Sequence, residues 1–270
     1  MYFSGVNFVY NKIFPNKIFL IGGHSIYGTE NKEILHNELY QDLSIDKNFL
    51  EKEIEYLSKS GYVFLTFKKV DDLLNKGEKL PEKSVIMYFD DGFRDVYLNA
   101  YPVFKKHNLP FVFFITTDFV EQKRSLPRII ERAEKSGIKL SERIFCNWEE
   151  IKQMSDLAEI GAHGTSHIDF VDLRGAELKQ ELLTSILKIE DNLGQRPIAL
   201  SFPHGKYNQE VKNSVQDAGF KFAVTTRRGN ADLRDRFELK KVIIYPDDSF
   251  LLFKLKLGIY YKIIDLLKQK

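Results

Sequence analysis

Apolar and polar positions sort into short β-prone runs separated by longer amphipathic, charge-rich stretches, almost from end to end. The runs predict strands at Lys17–Ile21, Tyr62–Leu65, Val85–Phe89, Phe111–Thr116, Leu157–Ala162, Ile198–Phe202, Phe222–Thr225 and Val242–Tyr245. The stretches between them predict helices at Asn48–Ser60, Val70–Lys76, Arg94–Asn108, Trp148–Ser155, Ala176–Leu193 and Gln209–Ala218. Strands that alternate with such helices are parallel and joined by crossovers. Roughly seven or eight units of this kind favour a closed or nearly closed barrel over an open sheet. No internal repeat, Pro/Gly-rich linker or low-complexity tract divides the chain, so residues 1–270 are expected to form a single domain.

Two regions depart from the alternation. Asp118–Phe145 is charged and helix-prone, and is expected to be a helical insertion over one face. Ser249–Lys270 mixes many apolar residues with five lysines and one acid. That pattern predicts a C-terminal amphipathic helix, either closing the barrel with its lysines outward or making peripheral membrane contact.

Composition narrows the function classes. Lys+Arg of 40 against Asp+Glu of 38 leaves a formal charge of only +2, which argues against a nucleic-acid partner. The single cysteine, Cys146, cannot form an intramolecular disulfide and fits a reducing compartment. The opening residues lack the features of a signal peptide, and no apolar run reaches the roughly 18–20 residues of a membrane span. The expectation is a cytoplasmic protein, with any membrane contact at the inner face.

The candidate chemistry begins at "SVIMYFDDGF", where a β-prone run ends in Asp90 and Asp91. Adjacent buried carboxylates repel and are costly to desolvate, so they call for a cation. Downstream, "EIGAHGTSH" ends another predicted strand and supplies His163 and His167. Two imidazoles and one carboxylate make a ligand set that leaves coordination positions open. In a parallel barrel both motifs lie at the C-terminal strand ends, where such folds keep their chemistry. Trp148 opens a helix and is a candidate wall for a sugar pocket, or else packs against the insertion. His36 and His107 have no motif around them.

In order along the chain, "LPEKSVIMYFDDGFRDVYLNAYPVFKKHNLPFVFFI", "NWEEIKQM", "EIGAHGTSH" and "SFPHGKYNQEV" resemble the polysaccharide deacetylase family, carbohydrate esterase family 4. The resemblance runs from about Lys17 to Tyr245. It implies a distorted (β/α) barrel of about seven parallel strands, and removal of acetyl groups from sugars with a divalent metal. Zn2+ is the first expectation, with Co2+, Ni2+ or Mn2+ as substitutes. By motif, Asp91, His163 and His167 would ligate the metal, and Asp90 would be the general base. Phe202, Pro203, His204 and Gly205 would form the substrate-binding turn that supplies an oxyanion-stabilising N–H.

The chain departs from the family pattern in several places. Ser201 and Phe202 precede Pro203 with no arginine close by, His204 stands for the usual tyrosine, and Gly164 follows the first metal histidine in place of Ser or Thr. The late Leu-x-His motif is missing, since no histidine follows His204. "FLIGGHSIYG" resembles the segment that opens a branch of the family in which an N-terminal histidine replaces that acid. His24 is then the expected catalytic acid, with His204 as the competitor. The expected substrate is an acetylated amino sugar, either a lipid- or nucleotide-linked precursor or a glycan. Rival readings are deformylation of a lipid-linked amino sugar and a non-catalytic glycan-binding module with a degenerate site.

Overall fold

The structure, a computed structural model, describes residues 17–28, 44–135, 143–258 and 260. His36, part of the charged segment before Phe145 and most of the residues after Gly258 lie outside the described residues. The chain opens with β1 (Lys17–Gly23), β2 (Ser25–Tyr27), β3 (Ser44–Asp46) and α1 (Lys47–Lys59). It continues through β4 (Val63–Phe64), α2 (Phe67–Asn75) and β5 (Ser84–Phe89), then a π-helical turn (Val96–Ala100) running into α3 (Tyr101–His107). Next come β6 (Phe111–Ile115), α4 (Thr117–Val120), α5 (Pro127–Lys135), α6 (Trp148–Met154) and β7 (Ala158–Ala162). The last part holds α7 (Gly175–Leu193), β8 (Ala199–Ser201), α8 (Gln209–Asp217), β9 (Phe222–Arg228), β10 (Ala231–Asp232), β11 (Leu239–Ile243) and α9 (Phe250–Lys256).

Seven strands close a parallel ring in the order β1, β11, β9, β8, β7, β6, β5 and back to β1. The expected barrel is therefore present. The predicted strand around Tyr62–Leu65 becomes β4, which among the described residues pairs with the start of β5 alone and stands outside the ring. Similarly, β10 runs antiparallel to the start of β1. β2 and β3 form a separate two-stranded ribbon.

Strict alternation explains both layers of the core. Ile18 and Leu20, Ile86 and Tyr88, and Val112 and Phe114 join Phe222, Val224 and Leu239 in one apolar cluster, the barrel interior. Their neighbours Phe19, Ile21, Val85, Met87, Phe89 and Phe113 belong to the larger cluster shared with the surrounding helices. Phe67, at the start of α2, packs on Phe222 and Phe114 with ring centroids 5.2 and 6.0 Å apart, and so plugs the lumen from below. Emptying such a position, for instance Phe114→Ala, would cost about 3–5 kcal/mol.

The same alternation fixes what crowns the lumen. Continuing Ile18, Leu20, Gly22 upward gives His24, and continuing Ile86, Tyr88 gives Asp90. On β7, Glu159 and Gly161 lead to His163, and on β11 Leu239 leads to Lys241. Polar groups thus form the top layer of an otherwise apolar barrel.

The described part of the tail turns its aromatic side chains inward. Phe250 and Phe253 lie edge-on to Phe49 and Tyr56 of α1, with centroids 5.8 to 6.4 Å apart. Lys256 is buried and donates to Ile243 O at 2.8 Å and to the Asp248 carboxylate. Among the described residues no helix is long and apolar enough to cross a membrane.

Candidate functional site

At the top of β5 the chain turns sharply. Asp91 has φ 75° and Gly92 φ 95°, both left-handed, so the two aspartates leave the strand in different directions. Asp91 Oδ1 lies 3.2 Å from Nε2 of His163 and 3.2 Å from Nε2 of His167. One donor atom from each of these three residues lies within 4.8 Å of the other two. The segment from Gly164 to His167 is a loop, not a helical turn, with left-handed φ at Gly164 (78°) and His167 (60°). Such backbone in a histidine is costly and persists where its surroundings impose it. An added Cβ at Gly164 would lie 3.0 Å from Glu181 and 3.1 Å from Phe170 on a left-handed backbone, so the family's Ser or Thr would be both crowded and strained here.

His163 Nδ1 donates to Ser201 O at 2.7 Å, which leaves Nε2 as the lone-pair nitrogen facing Asp91. Burial acts to raise the Asp91 pKa, but its contacts with His163 and His167 outweigh it and hold the carboxyl well below the usual range. Burial likewise acts to lower His163, yet its partners, Asp91 first, leave its pKa raised. Burial holds His167 below the usual histidine range despite its contact with Asp91. A buried carboxylate with two imidazole nitrogens turned toward it is a donor set suited to zinc or a similar divalent ion.

Asp90 is buried beside this cluster without being part of it. Its Oδ2 is 4.0 Å from His24 Nε2 and 3.8 Å from Lys241 Nζ, and its Oδ1 has no hydrogen-bond partner among the described residues. A buried carboxylate oxygen left open is a place for water. Burial also holds His24 below the usual histidine range, with Asp91 and Asp90 pulling the other way. Lys241, itself buried, lies 5.7 Å from the Tyr88 ring centroid. The family pattern places a cation shortly before Pro203; among the described residues the cation that reaches Asp90 is Lys241 of β11.

The turn after β8 carries the remaining sequence candidates. Phe202 is buried and stacks on Tyr207 with centroids 5.0 Å apart, so its side chain supports the turn from below. The amides of Phe202, Gly205 and Lys206 bond to the carbonyls of Val224, Phe202 and Pro203. Gly205 has φ 68°, and a Cβ there would fall 2.1 Å from Thr226 Oγ1, so no other residue fits. His204, at φ 54°, packs edge-on against His167 with centroids 4.6 Å apart, while its Nδ1 is 2.5 Å from Asp169 Oδ1. It is half exposed, at 53%, against 30% for the His24 side chain. Trp148 is partly buried against the core at the start of α6.

Two further groups escaped sequence reading. Glu181, on α7, accepts through Oε1 from Thr165 N at 2.8 Å, Ser166 N at 2.7 Å and Ser166 Oγ at 3.0 Å, and so shapes the loop that presents His167. Asp95 binds the Ser25 hydroxyl beside His24. A regular helical pattern disguises Glu181. The Asp in "DDGFRD" gave no local cue to its partner.

Comparison with known proteins gives the family and the fold. The family description "Polysaccharide deacetylase" matches residues 77–223, more than half the chain. YxkH of Bacillus subtilis (strain 168), provisionally named a polysaccharide deacetylase, is 29% identical over 213 residues, covering 77% of this chain and 68% of that protein. A poly-β-1,6-N-acetyl-D-glucosamine N-deacetylase of Staphylococcus aureus is 25% identical over 212 residues, covering 78% and 70%. In fold, the chain is similar to the Streptococcus pyogenes deacetylase PplD solved with acetate, at TM-score 0.76 and 21% identity, covering 90% of this chain and 99% of that one. The polysaccharide deacetylase family is thus the one to which this chain belongs.

Proposed function

We propose that the protein is a metal-dependent hydrolase that removes the N-acetyl group from an amino sugar, presented in a glycan or as the lipid- or nucleotide-linked precursor of one. The observation that carries this reading is Asp90, whose buried Oδ1 is unpartnered beside the Asp91, His163 and His167 cluster. Asp91 Oδ1, His163 Nε2 and His167 Nε2 would hold the ion. A divalent ion bound there would polarise the acetyl carbonyl and make a water acidic enough to lose a proton near neutral pH. Asp90 receives that proton, and its neighbour Lys241 keeps it aimed by charge. The amides of Phe202, Gly205 and Lys206 are engaged within the protein, and the His204 N–H of the same turn would be the donor to the developing oxyanion. His24, 4.0 Å from Asp90, delivers a proton to the leaving amine. His204 is the weaker candidate for that step, because its Nδ1 is tied to Asp169 and it sits on the His167 side of the cluster.

The acetyl group and the amino-sugar class are supported by the name of the staphylococcal relative. Of the cations flanking the site turn, Lys206 pairs with Asp169 at 2.5 Å and Arg227 with Glu238 at 2.9 Å, which favours an uncharged stretch of sugar at the reacting position. The test is metal analysis of protein purified without added metal, beside His163→Ala and Asp91→Ala. It is coupled to acetate release from oligomers of β-1,6-linked N-acetylglucosamine and from a nucleotide-linked N-acetylglucosamine. About one divalent ion per chain, absent from both variants, is expected together with acetate release. A wild-type protein that takes up neither zinc nor cobalt would sink the proposal.

A further inference from the structure

The segment that carries Asp90 and Asp91 continues directly into the π-helical turn at Val96–Ala100, a feature that sequence periodicity does not predict. Such widened turns cluster at functional sites. Here the turn aims two polar side chains, Asp95 and Asn99, at the same short strand. Asp95 accepts a hydrogen bond from the Ser25 hydroxyl, and Asn99 Nδ2 donates to Ile26 O at 2.7 Å. Ser25 Oγ also lies 2.9 Å from Ser44 Oγ on the neighbouring strand β3. On the other side of His24, Gly23 O accepts from Asp90 N at 3.0 Å. Both chain neighbours of His24 are therefore anchored by Asp90–Asn99, the stretch that also supplies the base and a metal ligand.

The anchoring matters because of where His24 sits. It lies at the junction where the chain leaves barrel strand β1 for the ribbon of β2 and β3, and among the described residues β2 pairs with β3 alone. The height of the imidazole above the lumen therefore depends on how that ribbon is tied down. Ser25 and Ile26 are buried, so water cannot substitute for lost partners without cost. We infer that the Asp95–Asn99 turn is a clamp that sets the position of His24 over Asp90, with Asp95 its principal positioning residue. This rests on the reading of His24 as the acid. Burial pushes the Asp95 carboxyl up to about 7, against the pull of the Ser25 hydroxyl and the amides of Ile26 and Val96. An acid kept at such a cost fits a site of function better than one of plain structure.

The experiment uses Asp95→Asn and Ser25→Ala in the zinc-loaded full chain, each alone and combined with His24→Ala. Histidine ring signals are followed by 13C NMR, with the His24 signal assigned by its loss in His24→Ala. Turnover is followed as acetate release from β-1,6-linked N-acetylglucosamine oligomers. A displacement of about 1 Å at a proton donor corresponds to a large loss of rate, so Asp95→Asn should lower kcat by about tenfold or more. KM should stay within about twofold, and zinc stoichiometry should be unchanged. In the His24→Ala background the loss from Asp95→Asn should shrink below about twofold, because the clamp then has nothing to position. The His24 signal should move in both single variants while those of His163 and His167 hold. An equal loss in both backgrounds would make Asp95 structural and overturn the clamp alone. Near-normal turnover of His24→Ala would overturn the acid reading and the clamp with it. An unmoved His24 signal refutes the clamp even in a preparation that releases no acetate.

Discussion

Glu181→Ala is the perturbation whose consequence can be worked most directly from the structure. One carboxylate oxygen of Glu181 receives the amides of Thr165 and Ser166 and the Ser166 hydroxyl, at 2.8, 2.7 and 3.0 Å. The backbone carbonyl of Glu181, which accepts from Thr165 Oγ1 at 2.8 Å, survives the substitution. Hydrogen bonds to a charged acceptor contribute about 1.5–3 kcal/mol each when buried. This loop is only partly buried, so water recovers part of that, and about 2–4 kcal/mol in total is the expected loss. For a domain of this size that corresponds to a melting point lower by about 5–12 °C.

The same loss should reach the metal. His167 holds a left-handed backbone that its loop imposes, and Glu181 is what organises that loop. Outer partners of this kind change metal affinity by about 10–100-fold. Glu181→Gln keeps an oxygen acceptor in place and loses the charge, so it should fall between wild type and Ala on both measures. Thermal unfolding with a chelator present measures the stability of the loop apart from the metal, and zinc titration by calorimetry measures the affinity. An Ala variant that melts within about 1 °C of wild type and binds zinc equally well would refute the argument. A Gln variant as damaged as Ala would show that charge, not geometry, organises the loop.

Other predictions follow from single contacts. His24→Ala should cut acetate release from N-acetylated sugar oligomers by about 10²-fold with zinc binding intact. The same variant should lose less than about tenfold on 4-nitrophenyl acetate, whose phenolate departs without a proton; equal losses on both would remove the acid role. Lys241→Met strips Asp90 of its cation and should lower kcat by about tenfold or more, with Lys241→Arg recovering part of it; an unchanged kcat in the Met variant would dismiss Lys241. Asp95 has a folded pKa near 7, above its ordinary value, so the folded state holds a proton that the unfolded chain has lost between about pH 4 and 7. Wild-type stability from this group therefore falls as pH rises through that window. The melting point of Asp95→Asn relative to wild type should climb across it and level off above, and a flat difference would contradict the assignment. Gly205→Ala puts a methyl against Thr226 at a left-handed position and should destabilise by about 2 kcal/mol or more, read by urea unfolding.

Much of this fold was legible because alternation and amphipathic spacing are local. Each predicted barrel strand lies on an apolar run with β-prone residues, and the structure moves most ends by a residue or two. The run at Tyr62–Leu65 reads as a strand equally well, yet only Val63 and Phe64 pair, at the foot of β5. Nothing in its composition distinguishes a ring strand from one that stops at the rim. The π-helical turn within the predicted helix Arg94–Asn108 was invisible for a related reason. One extra residue in a turn leaves the apolar spacing of Val96, Ala100, Val103 and Phe104 compatible with an ordinary helix.

The site was legible only where chemistry and strand end coincide. Asp90, Asp91, His163 and His167 follow apolar runs directly, so residue type and position point the same way. Lys241 does not stand out, because a lysine inside "LKKVII" looks like a solvent-facing residue of an edge strand. What distinguishes it is height. Leu239 belongs to the lumen cluster, and Lys241, buried on the far side of a register shift, stands at the level where β5 ends in Asp90. In a closed barrel the top layer is shared among strands remote in sequence, and a cation supplied from any inward position at that height can serve the same carboxylate. An arginine missing before Pro203 therefore does not leave Asp90 without a positive charge beside it. Lys241 brings that charge from β11, on a side that a linear motif does not cover.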